Sequence, residues 1–369
     1  MCIASLCGIQ EAAANVPNVS TPLSKALTYL HSVQQSDGSI AGYTTSEWAT
    51  MAIAAAGQDP HNWKVGGGPS IVDYLIANRP TDPSSDPETG IKNIERFVLA
   101  MTASGENPYS IYGTDYVAMI RNNATGGQIG FESQLNDDWW GVMALISAGE
   151  SASSATVSNS VAYIKNHQNL DGGWGYGVGV SSDAEDTAAA IMALRCAGES
   201  SAAPYMKAAV QYLKNNQQSD GGFTYPGYST NTPADSWVIG AIVSVGQHPA
   251  QWPVIGTNVM NHLLSLQSSS GLFYWYGTVI DHPEWMTSYA IQAMSYAPYP
   301  VNIHYTVHLA GDFTSDNKIN YVDISTFMDA YIAYYSGQTW SHTADFNGDN
   351  KLNYLDISMF MDYYIGYYS

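Results

Sequence analysis

The sequence predicts an all-α protein: an α6/α6 toroid of six helix-pair repeats, a short strand-like linker and a small α-helical domain. Three observations carry this prediction. A glycine follows an apolar helical stretch at regular intervals, at residues 57, 105, 149, 198 and 246. A second turn signal, rich in Gln and Gly, lies between these glycines. A twelve-residue acidic loop occurs twice, at residues 312–323 and 345–356. Repeats of this kind bury their apolar faces against neighbouring repeats.

The predicted elements follow in order along the chain. Residues 1–22 form an N-terminal arm, and its apolar start is a candidate remnant of a signal peptide. Residues 23–300 form the toroid, in which amphipathic outer helices alternate with more apolar inner helices that end at a C′ glycine. Alternating apolar and polar residues over 301–308 predict a strand-like linker. Residues 309–369 form the small C-terminal domain.

Composition excludes several classes of function. The chain has 369 residues, of which 45% are hydrophobic and only 12% charged. Its 32 acids and 12 bases give a net charge of −20, which repels phosphate backbones and argues against nucleic-acid binding. No apolar run is long enough to predict a membrane span. With 27 Tyr and 10 Trp, the sequence is also unlike that of a disordered chain.

The Gln and Gly turn signal has a recognisable form. It reads QNLDGGW over residues 168–174 and QQSDGGF over residues 217–223. This pattern resembles the repeat of the toroids of terpenoid cyclases and prenyltransferase β-subunits, including squalene–hopene cyclase. The resemblance extends over most of the predicted toroid and implies an α/α toroid. A fold shared by so many activities does not by itself define a function.

One inner helix start resembles a catalytic motif. Residues 183–188 read DAEDTA, which is similar to the Asp-x-Asp-Asp-Thr-Ala motif of squalene–hopene cyclases. In that family the central Asp protonates a double bond, and Glu185 holds its position here. A Glu acts as a general acid where burial raises its pKa.

Acids near the starts of the other inner helices favour a structural interpretation instead. An acid there accepts free backbone N–H groups and interacts favourably with the helix dipole. We therefore expect no catalytic residue and a chain that is not an enzyme. Because inner helices of a closed ring run parallel, these acids and neighbouring tryptophans should gather in an acidic, aromatic mouth. The predicted mouth residues are Glu47, Trp48, Asp137, Asp138, Trp139, Trp140, Asp183, Glu185, Asp186, Asp235, Trp237, Glu284 and Trp285.

The two C-terminal loops have the spacing of calcium-binding loops. Oxygen side chains stand at positions 1, 3, 5, 9 and 12 of each loop, and a backbone carbonyl is expected at position 7. The doubled loop resembles a type I dockerin, a module that binds cohesins. We expect two Ca²⁺ ions, with ligands Asp312, Thr314, Asp316, Lys318, Asn320 and Asp323 in the first loop and Asp345, Asn347, Asp349, Lys351, Asn353 and Asp356 in the second.

Tyrosines of the C-terminal domain are candidate contacts to a protein partner. Tyrosine supplies interface area at low entropic cost, and so small a domain cannot bury all of its rings. The candidates are Tyr321, Tyr354, Tyr363, Tyr364, Tyr367 and Tyr368. The expected partner is a second copy of the chain, giving a homo-oligomer, or a cohesin-like domain.

These features predict a secreted, extracellular or cell-surface protein with an assembly role. The first hypothesis is a calcium-stabilised, non-catalytic structural protein that associates head to tail into a filament. The second is a toroid that binds a corrinoid or an apolar ligand and is tethered by its dockerin-like module. The third is a terpenoid cyclase-like or carbohydrate-acting enzyme that uses Glu185 as its acid. The third requires Glu185 to lie in a cavity rather than cap its helix.

Overall fold

A computed structural model describes residues 17–81, 90–225, 227–254, 257–301, 311, 313–314, 319–338, 344–346 and 351–368. These residues are mostly helical. The helices are numbered in chain order, and those with even numbers up to twelve are the inner helices. The inner helices are α2 (Tyr43–Ala55), α4 (Gly90–Ala103), α6 (Leu135–Ser147), α8 (Ala184–Cys196), α10 (Thr232–Ser244) and α12 (Pro283–Met294).

The outer helices alternate with the inner ones. They are α1 (Ser20–Val33), α3 (Ile71–Ala77), α5 (Tyr116–Asn122), α7 (Ala155–Asn166), α9 (Pro204–Asn216) and α11 (Val259–Ser265). Two short antiparallel hairpins also lie between helices: β1 (Ala124–Thr125) pairs with β2 (Gln128–Ile129), and β3 (Pro253–Val254) pairs with β4 (Thr257–Asn258).

The inner helices form a closed ring. Each packs against the next in chain order, and α12 packs against α2 to complete the circle. They are buried on nearly every side; in α10, all thirteen residues from Thr232 to Ser244 are buried. Small residues such as Ala188 and Ala190 let neighbouring helices approach closely. Polar residues of the outer helices face solvent, so the inner ring supplies most of the core.

The Gln of the turn signal joins successive repeats. Its side-chain amide donates to the carbonyl of the turn glycine and to a backbone carbonyl in the next repeat. For Gln168 the two acceptors are the carbonyls of Gly172 and Tyr205, at 2.7 and 2.8 Å, and Gln34 and Gln217 make the same pair of contacts. The Gln is thus needed at a fixed distance before the glycine, which explains why the pattern recurs.

The same contact closes the ring. Gln267, in the last repeat, donates to the carbonyl of Pro22 at 2.8 Å, in the first turn of helix α1. Gly271 has φ near +100°, and an added Cβ would lie 2.3 Å from the carbonyl oxygen of Lys25. The Tyr29 hydroxyl also donates to Glu284 at 3.0 Å, which links α1 to α12. Direct hydrogen bonds therefore join the first and last repeats of the toroid.

The C-terminal segment has its own small core. It contains α13 (Tyr321–Tyr335) and α14 (Tyr354–Tyr368). The rings of Phe327 and Phe360 stack with centroids 4.8 Å apart, and Ile319 and Leu352 are buried beside them. These pairs are each 33 residues apart, so the two halves contribute matching side chains.

The prediction of a predominantly helical chain is confirmed. Within the part of the chain that the structure describes, no helix is both long and apolar enough to span a bilayer. The strand-like linker, apart from residue 301, and most of the N-terminal arm lie outside the described residues.

Candidate active site

A repeated hydrogen bond defines the register of the inner helices. In five repeats, a side chain in the first turn of the inner helix accepts the backbone N–H of the apolar residue that ends the Gln and Gly turn. The distances are 2.7 to 3.0 Å. The five acceptors are Ser46, Asp138, Thr187, Asp235 and Thr287. Asp138 and Asp235 therefore accept the same hydrogen bond that hydroxyl groups accept in the other three repeats, and this role is structural.

Glu185 does not belong to this set. It lies two residues before the acceptor Thr187, where the four other repeats carry Thr44, Asn136, Pro233 and Trp285. Asp183 is the N-cap of α8 and accepts the N–H of Asp186 at 2.8 Å, so Glu185 is not the cap. Since none of the described residues donates a hydrogen bond to its carboxyl group, Glu185 lacks the structural role of the other acids.

Glu185 faces a cavity at the end of the ring where the inner helices begin. The cavity has a volume of about 510 Å³ and is open to solvent. We call it the Glu185 cavity. Its walls come from the turn before α10, the turn before α12, and the first turns of α8 and α12. Six aromatic side chains line it: Tyr225, Tyr228, Trp275, Tyr276, Trp285 and Tyr289.

The electrostatics of this end of α8 favour protonated carboxyl groups. Burial, followed by the nearby carboxylates of Asp183 and Asp235, raises the pKa of Glu185 to about 7. Burial, followed by Asp183 and Glu185, also holds the pKa of Asp186 well above its ordinary value. Because like charges cannot all be carried in a poorly solvated site, some of these carboxyl groups stay neutral near pH 7.

An aromatic cluster fills the centre of the ring next to this cavity. Trp48, Trp140, Trp237 and Tyr289 each lie two residues after their hydrogen-bond acceptors, so they project from equivalent positions. Their ring centroids approach to 5.1 to 6.2 Å, and Tyr299 packs against the three tryptophans at 5.0 to 6.3 Å. The ring centre is therefore filled, and the open space lies at the mouth.

Other predicted mouth acids lie beside bases or accept a backbone N–H group. Glu47 accepts from Arg96 at 3.0 Å, and burial raises its pKa to about 7 although Arg96 opposes this. Asp137 lies 3.4 Å from the ammonium of Lys92. Burial likewise raises the pKa of Asp138 to about 7, and the N–H of Ile129 opposes that rise.

Asp235 also has a charged partner. Its carboxylate lies 2.6 Å from Nδ1 of His262. Burial raises the pKa of Asp235 to about 6 although His262 opposes this. Burial alone would lower the pKa of His262, but Asp235 raises it above its ordinary value. Glu284, as described above, takes part in ring closure.

The structure thus divides the predicted mouth residues into groups. Trp48, Trp140, Trp237 and Trp285 come together, and only Glu185 and Trp285 of the predicted set line the cavity. Trp139 is buried in the core and takes no part in the aromatic cluster. Sequence reasoning missed Trp275, Tyr276 and Tyr289. The turn before α12, which is rich in aromatic residues, signalled Trp275 and Tyr276, whereas Tyr289 lies within α12 at the position equivalent to Trp48 and Trp237.

Five predicted calcium ligands, Asp312, Asp316, Lys318, Asn347 and Asp349, lie outside the described residues. The two position-12 carboxylates, Asp323 and Asp356, are fully buried. Asp323 accepts the N–H groups of Phe313 and Asn320, and Asp356 accepts those of Phe346 and Asn353. Both carboxylates therefore turn back over their loops, and Asp323 also forms a capping box with Asn320 at the start of α13. Thr314, Asn320, Asp345, Lys351 and Asn353 lie in the described parts of the same loops.

The predicted interface tyrosines differ in exposure. Tyr321 is 78% exposed and Tyr354 is 74% exposed, whereas Tyr364 packs against the small core. The side chains of Tyr363, Tyr367 and Tyr368 lie outside the described residues.

Comparisons with known proteins agree with this fold. The model of the squalene-hopene cyclase C-terminal domain matches residues 133–233, which include the acids at the start of α8. None of the curated proteins compared matches this sequence. Among solved structures, the type II terpene cyclase MstE from Scytonema in its apo form has 13% identity and a TM-score of 0.51. The match covers 76% of this chain and 98% of the cyclase.

Two further structures of variants of the same Scytonema enzyme are similar to this chain. One contains geranylgeranyl dihydroxybenzoate, described as its substrate, with 14% identity, a TM-score of 0.51 and coverage of 75% of this chain and 96% of the cyclase. The other contains merosterolic acid A, described as its product, with 14% identity, a TM-score of 0.50 and coverage of 76% and 96%. At this identity the likeness establishes the terpenoid cyclase-like α/α toroid and not the substrate.

The expectation that the chain is not an enzyme is wrong by these comparisons, because the matching family and the similar structures point to an enzyme family. The physical reason lies in the register of the helices. The capping interpretation treated all acids near inner helix starts as equivalent, whereas Asp138 and Asp235 hold turns and Glu185 faces a cavity.

Proposed function

We propose that this protein is a terpenoid cyclase-like enzyme in which Glu185 protonates a carbon–carbon double bond of a polyene. The observation that supports this most directly is the position of Glu185 on the wall of an aromatic cavity, with its pKa raised to about 7. The match to the squalene-hopene cyclase C-terminal domain over residues 133–233 places Glu185 within the matched segment.

Glu185 can carry its proton near neutral pH. A carboxyl group with an ordinary pKa would be almost fully ionised at pH 7 and would have no proton to give. With a pKa of about 7, a large share of Glu185 is protonated near neutral pH. The nearby carboxylates of Asp183 and Asp235 are the second reason that Glu185 keeps its proton.

The cavity walls suit the cation that follows protonation. When a proton adds to a double bond, the positive charge moves to carbon and needs a surface that stabilises it without reacting. The faces of Trp and Tyr rings provide such a surface through their π electrons. Trp275, Trp285 and Tyr289 contribute rings close to Glu185, so the acid and the stabilising walls share one space.

The test uses purified full-length protein and uncharged polyprenyl probes, squalene and geranylgeraniol, with products analysed by gas chromatography and mass spectrometry. The wild type should form cyclic products. Glu185→Gln keeps the shape of the side chain but removes its acidity, and it should lower the rate by about 10²-fold to 10⁴-fold.

Glu132→Gln is the matched control, because Glu132 is an exposed acid outside the cavity. This variant should retain the wild-type rate. If Glu185→Gln cyclises the probes as fast as the wild type, Glu185 is not the acid.

We also propose that the C-terminal domain binds two Ca²⁺ ions through its paired loops. The buried carboxylates of Asp323 and Asp356 support this, because each stands at the same place in a loop of calcium-binding spacing. When bound, calcium would hold each loop in a fixed shape next to its helix. Secretion and a protein partner for this domain stay predictions from the sequence.

A further inference from the structure

The charges around the Glu185 cavity are of one sign, with a single exception. Two carboxyl groups line it, those of Glu185 and Asp281, and no Lys or Arg is among its described lining residues. The exception is His282, whose Nδ1 lies 2.7 Å from the Asp281 carboxylate. Since the chain as a whole carries a net charge of −20, the wider field has the same sign as the cavity.

The aromatic side chains come from separate segments and surround the space on several sides. Tyr225 and Tyr228, before α10, meet edge to face at 5.9 Å. Trp275 and Tyr276, before α12, meet at 5.3 Å, and Trp285 and Tyr289 within α12 lie 6.0 Å apart. Rings on several sides with carboxyl groups between them form the arrangement that recognises organic ammonium ions.

We propose that the Glu185 cavity binds an organic ammonium ion, such as a trimethylammonium group, in preference to a neutral group of the same shape. The rings stabilise the cation through their π faces. The Asp281 carboxylate supplies opposite charge, and a bound cation favours the ionised form of Glu185, which then adds to it. Anionic head groups are disfavoured because His282 is the only base among the described lining residues and Asp281 already pairs with it.

This inference goes beyond the proposed reaction, because it concerns the ligand that the cavity selects and not the bond that is made. It also does not depend on turnover. A protein that binds ammonium ions and forms no cyclic product would refute the proposed reaction and leave this inference intact.

The experiment compares two probes of nearly equal shape by isothermal titration calorimetry on the full-length protein. Choline carries a quaternary nitrogen, and 3,3-dimethylbutan-1-ol has a carbon in its place. Choline should bind at least about tenfold more tightly than the alcohol, a ratio typical of a cation at an aromatic site. Inorganic pyrophosphate, an anionic probe, should show no binding.

Variants assign the effect to this cavity. Trp285→Leu should weaken choline binding by about tenfold and leave the binding of the alcohol nearly unchanged. Asp281→Asn should also weaken choline binding. Tyr112→Leu is the matched control, since Tyr112 is 78% exposed and does not line the cavity, and it should bind choline as the wild type does.

Circular dichroism on each variant separates loss of binding from loss of fold. Equal affinity for choline and its neutral isostere would overturn the proposal. So would unchanged choline binding in a folded Trp285→Leu variant, or binding of pyrophosphate that is tighter than binding of choline.

Discussion

At the scale of single residues, two positions along α8 separate a structural role from a chemical one. Thr187 accepts the N–H of Trp174 and holds a turn in place. Glu185, half a turn earlier, lines the Glu185 cavity and accepts no such hydrogen bond. A carboxyl group two positions further on would accept a backbone N–H instead, as the carboxyl groups of Asp138 and Asp235 do.

The pH dependence of the rate follows from the pKa of Glu185. A general acid must carry its proton, and the pKa of Glu185 is about 7. The rate of cyclisation should therefore be highest below pH 6 and fall about tenfold for each pH unit above 7. Initial rates between pH 5 and pH 9 would check this. A rate that rises with pH over this range would contradict the role of Glu185 as the acid.

Glu95 is a second residue with a raised pKa, and its protonation should make the free energy of unfolding depend on pH. It is fully buried, both of its carboxyl oxygens lack a hydrogen-bond partner among the described residues, and burial together with Asp137 and Asp138 holds its pKa well above the ordinary value. In the unfolded chain the pKa of a Glu is about 4.3. As pH rises above this value, the unfolded state loses a proton that the folded state keeps, so the free energy of unfolding falls.

Glu95→Gln removes this titration. The variant should have nearly the wild-type free energy of unfolding at pH 4 and exceed it at pH 8 by at least about 1.4 kcal/mol, the equivalent of one pKa unit. Urea unfolding at both pH values would measure the difference. The exposed Glu132→Gln serves as the control and should follow the wild type at both. A Glu95→Gln protein that is less stable at pH 8 than the wild type would refute the argument.

At the scale of elements, the turn glycines decide how closely successive repeats approach. Gly271 has φ near +100°, and its missing Cβ leaves room for the carbonyl of Lys25. Gly271→Ala should lower the free energy of unfolding by about 3 kcal/mol, since it adds backbone strain and a clash with backbone that cannot move aside.

Gly198→Ala is the matched variant for this comparison. Gly198 has a similar φ of +88° but nothing within 4 Å of an added Cβ, so only the strain of about 1 kcal/mol applies. Thermal and urea unfolding of both variants would separate the two costs. Equal losses would mean that the approach of α1 to the last repeat is not tight.

Most of the alternating helices of the toroid could be predicted from the sequence, because C′ glycines and the Gln and Gly turn are local signals. The different position of Glu185 could also have been found by counting residues to the C′ glycine. Glu185 lies 13 residues before Gly198. Asp138 and Asp235 lie 11 residues before Gly149 and Gly246, respectively. The cavity could not be predicted from the sequence. Its walls combine the turns before α10 and α12 with residues of α8 and α12, and these segments meet through long-range packing that no local pattern encodes.

At the scale of the whole molecule, the toroid and the C-terminal domain have separate hydrophobic cores. We expect EDTA to lower the melting temperature of the C-terminal transition and to leave that of the toroid unchanged. At a calcium concentration 100 times the dissociation constant, one site adds about 2.7 kcal/mol of stability. Differential scanning calorimetry of the full-length protein with Ca²⁺ or EDTA would measure this. A thermogram that is identical in both conditions would exclude the calcium proposal.

Ring closure has a further consequence for how such a protein can change. In an open array of repeats, a unit added or removed at one end lengthens or shortens the array, and special end units shield the exposed faces. Here the last repeat binds the first through Gln267 and Pro22, so no unit is an end. Loss of one repeat would bring together two faces that do not match in curvature. Variation in this architecture is therefore expected in the turns that line the mouth, while the number of units stays fixed.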